Sequence, residues 1–185
     1  MTVDAGGAPP SGPDSDESLV DLRCSVVVVR AGEVLLLHRT GGGRDDWVLP
    51  GGRPRAGESL SACASREARE ETGLEINPTR CAFVLEVTDP KERTRTVEVV
   101  FLGSVLGPAT GRSLAGEPGA APEWVPRQRL PELDLKPPIG GHLPAVMHPN
   151  PSTAPYLGNL WRPEPTTGAP DGSAARWRRW ARGRP

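Results

Sequence analysis

Residues 52–74 read Gly-Arg-Pro-Arg-Ala-Gly-Glu-Ser-Leu-Ser-Ala-Cys-Ala-Ser-Arg-Glu-Ala-Arg-Glu-Glu-Thr-Gly-Leu. Ser59 is a good helix N-cap, because its hydroxyl can accept a free amide of the first turn, and Gly73 supplies the left-handed conformation in which helices end. Between them there is neither Pro nor Gly, so a helix of about three to four turns is expected over residues 60–72. At about 100° per residue, Glu67, Glu70 and Glu71 fall beside a narrow stripe of Leu60, Ala64 and Ala68. Three carboxylates bordering a buried face repel one another unless cations neutralise them. Hard divalent cations prefer such oxygen donors. The plainer alternative is a solvated charged helix in which Arg66 and Glu70 form an i,i+4 pair.

The spacing decides between the two. The stretch resembles the Nudix box, Gly-x5-Glu-x7-Arg-Glu-U-x-Glu-Glu-x-Gly-U with U apolar. Gly52, Glu58, Arg66, Glu67, Ala68, Glu70, Glu71, Gly73 and Leu74 fill every specified position. A chance match in one frame has a probability on the order of 10⁻⁹. Weaker similarity extends over residues 22–135.

The resemblance implies an α/β fold of the mixed α+β kind, a Nudix-type α-β-α sandwich with a mixed central sheet. It also implies hydrolysis of a nucleoside diphosphate linked to another group, with Mg²⁺ or Mn²⁺ as cofactor. Carried over position by position, Glu67, Glu70 and Glu71 are metal ligands and the carbonyl of Gly51 adds another oxygen. Arg66 orients a neighbouring carboxylate, while Glu58 braces the loop or binds an outer ion through water, and Gly52 and Glu58 border the substrate. At Arg55 many relatives carry an acidic residue, a departure that alters the charge near the phosphate chain.

The 185 residues suit one core, and the net charge of −1 provides no global basic field to demand nucleic acid. The expected partner is a small nucleoside diphosphate derivative, and a homodimer is left open. Cys24, Cys63 and Cys81 are odd in number and lack CxxC spacing, so they are expected as buried free thiols in a reducing cytoplasm. The N-terminus has no signal-peptide pattern, and no apolar run is long enough to span a membrane. His38, His142 and His148 show no zinc-ligand spacing.

Along the chain, residues 1–18 are expected as a disordered leader and 19–149 as the domain. Residues 150–185 are expected as a Pro/Arg-rich, partly disordered extension, in which Trp177 and Trp180 either dock or remain in a tail. Residues 22–30 and 33–38 read as a central hairpin turning at Ala31-Gly32, and residues 40–46 as a Gly-rich loop bordering the substrate. Arg39 is compatible with phosphate contact or with a solvated strand end, and Trp47 with base stacking or with packing under the loop. Strands are expected at 82–87 and 94–106, joined by a turn at Asp89-Pro90. Glu98 either points into the site or is a satisfied strand glutamate. By resemblance, Glu117 and Glu71 are the two candidates for the catalytic base. Short helices are expected at 127–133 and 139–147, and a docking segment around Tyr156, Leu160 and Trp161.

Two rivals share the fold: a ligand-binding regulator and an isomerase. The intact glutamates argue against the first. The position of Cys63 inside the helix argues against the second.

Overall fold

The computed structural model describes residues 19–90, 94–107, 114–116, 118–148 and 155–162. Glu117, the leader and the Arg/Trp-rich segment therefore lie outside the described residues. The strands are β1 (Leu19–Arg30), β2 (Glu33–Gly41), β3 (Arg44–Val48), β4 (Gly51–Gly52), β5 (Ile76–Thr88), β6 (Thr94–Val105), β7 (Ala120–Pro126) and β8 (Tyr156–Asn159). Helix α1 spans Leu60–Thr72, a 3₁₀ turn spans Arg127–Glu132, and α2 spans Leu143–Val146.

β1 is the strand around which the sheet is organised. Along one edge it pairs in parallel with β6, from Leu19 opposite Thr94 to Val28 opposite Gly103. Along the other edge it meets β4 at Cys24 and Ser25 and then β2 at Val29 and Arg30. The expected central hairpin is thus confined to two residue pairs beside its turn. The principal partner of β1 is a strand far downstream. The spatial order is β3-β2-β1-β6-β5-β8, with β7 also on β2.

Alternation along β1 builds two cores. Cys24, Val26 and Val28 pack toward α1 with Cys63, Ala64, Ala68, Leu74 and Ile76. Val27 faces the opposite layer, where Phe83, Leu85 and Val100 meet Leu130, Ile139, Leu143 and Val146. Helical elements therefore cover both sides of a mixed sheet, as expected.

Several boundaries need correction. Residues 40–46 are no open loop: Gly41 pairs with Arg44, and Gly42 and Gly43, at φ 59° and 76°, form the two-residue turn of a β2-β3 hairpin. Consecutive positive φ values match the right-handed twist of the strands, which is why Gly-Gly works there. β5 begins at Ile76 rather than residue 82 and passes through two bulges, at Pro78/Arg80 and Cys81/Phe83. Those bulges reset the alternation and leave Cys81 exposed, against the expectation of a buried thiol. The helix expected at 139–147 contracts to Leu143–Val146. The docking segment is β8, which adds in parallel to the edge of β5 and buries Leu160 behind it. Among the described residues, no helix is long and apolar enough to cross a membrane.

Helix α1 has the bounds its caps dictate. The Ser59 hydroxyl accepts the Ala62 amide at 3.2 Å, and Gly73, at φ 73°, returns its amide to Arg69. Ser59→Ala should lower stability by about 1 kcal/mol, read from urea unfolding at an unchanged denaturant slope.

Candidate active site

The loop between β4 and α1 lays residues 53–59 along the helix that follows, and Arg66 fastens the two together. Its guanidinium grips both oxygens of Glu58, at 2.8 and 2.9 Å. The same side chain donates to Glu67 at 2.7 Å, to Glu70 at 3.4 Å and to the Arg53 carbonyl at 3.2 Å. Glu58 also accepts the Arg55 amide at 2.9 Å. The Arg66 hydrogen bonds, reinforced by that amide, lower the Glu58 pKa from 4.5 to about 2. These carboxylates hold the Arg66 guanidinium still more firmly in its charged form.

The glycines before the loop approach the helix from the other side. The Gly51 amide donates to Glu71 Oε2 at 2.9 Å. A Cβ on Gly52 would stand 2.4 Å from the Glu67 carboxylate carbon, so only glycine leaves Glu67 its place. Gly51 itself sits so close to β1 that a Cβ would fall 2.3 Å from the Cys24 carbonyl. Its own carbonyl accepts Arg23 Nη2 at 3.3 Å.

Gly51, Gly52, Glu58, Arg66, Glu67, Glu70 and Glu71 therefore come together. Arg55, the departure from the family pattern, reaches Glu70 at 3.5 Å from a largely exposed position. Arg39 donates to Asp46 at 2.6 Å, and Trp47 is buried and stacked on His38 with centroids 4.2 Å apart. The packing alternative for Trp47 is the one observed.

Among the described residues, no three His, Cys, Asp or Glu side chains converge on one point. The donor chemistry nevertheless fits a hard cation. One cationic nitrogen, Arg66 Nη1, already bridges Glu67 and Glu70, and all three helix carboxylates offer oxygen donors on one side of α1. Cys63 is fully buried, and Cys24 donates its thiol to the Gly52 carbonyl at 3.7 Å. Contact with Cys63 and burial raise the Cys24 pKa, which suits packing rather than nucleophilic chemistry.

Sequence reasoning missed Arg23 as a neighbour of this loop and left Glu98 undecided. Glu98 is buried with Oε2 lacking a hydrogen-bond partner among the described residues. Burial raises its pKa, partly offset by the Arg23 charge and the Ser25 hydroxyl. The only sequence signal was a charged residue at an inward strand position.

Because the Glu58 pKa is depressed on folding, its stabilisation is complete above pH 4.5 and is lost as pH falls toward about 2. The melting-temperature gap between wild type and Glu58→Gln should be constant near neutrality and close across that acid window.

Three comparisons bear on the family to which this fold belongs. An ADP-ribose pyrophosphatase from Methanocaldococcus jannaschii is 28% identical over 108 residues, covering 58% of this chain and 62% of that protein. A Bacillus subtilis protein provisionally named 8-oxo-dGTP diphosphatase is 36% identical over 110 residues, covering 57% of this chain and 66% of its own. The alignments thus span less than two thirds of either relative. The crystal structure of a MutT mutator protein from Bacillus halodurans superposes with a TM-score of 0.55 at 26% identity, covering 70% of this chain and 83% of that one. The NUDIX domain model matches residues 21–146, most of the described fold and the whole carboxylate loop and helix, and the chain belongs to the Nudix family.

Proposed function

We propose that this protein is a divalent-metal-dependent pyrophosphohydrolase that cleaves the diphosphate linkage of a nucleoside diphosphate derivative, in the cytoplasm and with Mg²⁺ or Mn²⁺. The observation that carries the reading is the joint placement of Glu67 and Glu71 against the Gly51-Gly52 backbone, with Glu58 and Arg66 locking the loop over them. Such rigidity suits chemistry that depends on positioning and on screening phosphate charge.

Glu67, Glu70 and Glu71 would hold the ion, with the Gly51 carbonyl as a further donor through its remaining lone pair. When bound, a divalent cation screens the diphosphate charge, polarises a phosphoryl oxygen and lowers the pKa of the attacking water. Arg66 keeps Glu67 and Glu70 apart from each other's charge and fixes their rotamers. Glu71, whose Oε2 accepts the Gly51 amide, and Glu117 are the two candidates to accept the proton. The substrate names attached to the relatives, ADP-ribose and 8-oxo-dGTP, define the first compounds to try. The full burial of Cys63 speaks against the isomerase alternative.

Purified protein with Mg²⁺ should release phosphate or a nucleoside monophosphate from a panel of nucleotides, ADP-ribose, dinucleotides and sugar nucleotides. No release from any member, at any divalent ion tried, would overturn the assignment. Glu71→Gln keeps the shape and an oxygen for the Gly51 amide but loses a charge, and should cost several kcal/mol of transition-state stabilisation, about two to three powers of ten in turnover. Glu117→Ala should cost less than Glu71→Gln unless Glu117 supplies the base. Gly52→Ala should fold yet lose about a hundredfold in turnover, since the new methyl takes the place of the Glu67 carboxylate.

A further inference from the structure

Four polar side chains occupy inward positions of the two central strands, where apolar ones are the rule: Arg23 and Ser25 on β1 and Thr96 and Glu98 on β6 are 8%, 0%, 2% and 4% exposed. The two that can carry charge are Arg23 and Glu98. The parallel register sets Arg23 opposite Glu98. By alternation they share the sheet face of Val27 and Val100, the one turned away from α1. A buried guanidinium is costly unless a carboxylate lies near enough to offset its charge, and Glu98, facing Arg23 across the ladder, is the carboxyl that feels it. Burial drives the Glu98 pKa up while Arg23 pulls it down.

The guanidinium also reaches beyond this face of the sheet. Its Nη2 reaches the Gly51 carbonyl at 3.3 Å. The amide of that same residue donates to Glu71 Oε2 at 2.9 Å, and the next residue, Gly52, abuts the Glu67 carboxylate. The short segment is thus gripped at its oxygen from one direction and at its nitrogen from another. Glycines have the widest backbone freedom of any residue, so this is where an external grip matters most.

We propose that Arg23, with Glu98 behind it, is a positioning residue for the metal-binding carboxylates: by fixing the Gly51 carbonyl it sets the rotation of the Gly51-Gly52 backbone and so the stance of Glu71 and Glu67. The inference rests on the reading of Glu67, Glu70 and Glu71 as the metal cradle. It makes a prediction opposite in sign to simple electrostatics. A cation near the cradle repels a metal ion, so removing Arg23 would tighten metal binding if charge alone mattered. Removing a positioning group weakens it.

The test titrates Mn²⁺ alone into the full chain, followed by electron paramagnetic resonance, with melting temperature as the check on folding. Arg23→Gln should bind Mn²⁺ about tenfold more weakly than wild type, in line with the loss of groups that orient metal ligands. Arg23→Lys, which keeps a donor and the charge, should recover part of that loss. Equal or tighter Mn²⁺ binding in folded Arg23→Gln overturns the proposal, and so does a Lys variant no better than Gln. If Arg23→Gln does not fold, the paired change Arg23→Met with Glu98→Leu removes both buried charges together and should fold. That variant should show the same tenfold loss, and wild-type affinity in it overturns the proposal. Glu71→Gln in the same titration separates the two levels. Wild-type affinity there removes the cradle itself, whereas lost affinity there with none lost in Arg23→Gln removes only the positioning role.

Discussion

The carboxylate loop and helix are held as one body by the fork between Arg66 and Glu58, and the site has no shape without it. Several acidic groups crowded on one helix would push each other apart and into water. Arg66 answers that repulsion from within the helix, reaching Glu67 and Glu70 while its other edge clasps Glu58. A fork of parallel hydrogen bonds fixes direction as well as distance, which a lysine could not do. The glycines opposite complete the arrangement by allowing backbone to approach where any side chain would collide.

The box was legible because its geometry is local. The Ser59 and Gly73 caps, the buried stripe and the clustering of the glutamates all follow from intervals of three and four residues along one helix. The same locality explains why the long strand β6 and the turn at Ala31-Gly32 could be read directly. The β2-β3 hairpin was missed because a run of glycines resembles flexibility, although two adjacent left-handed residues are also what a tight hairpin requires. Cys81 was misjudged because bulges break the period-two rule without any mark in composition.

What remained illegible depends on register. Arg23, Gly51 and Glu98 come from β1, β4 and β6, and nothing in their spacing announces that they meet. In a single sequence, a charged residue in a strand points outward by default. The alternation in β6 left the direction of Glu98 open, and only the sheet register brings Arg23 in beside it. The side chains of Arg39 and Trp47 show the converse case: each was a reasonable substrate contact by type, and each is engaged by a neighbour on the adjoining strand.

The parallel ladder between β1 and β6 also bears on how this chain comes to be folded. β1 emerges from synthesis first, yet its longest partner is formed only after the carboxylate helix and all of β5 have been made. Until then the Val26 to Val28 run has an unpaired edge, a template for joining other chains. Closing so long a loop is slow compared with forming the helix or the hairpins. Nascent chains stalled before Thr94 therefore carry a complete carboxylate motif beside a strand edge that is still bare.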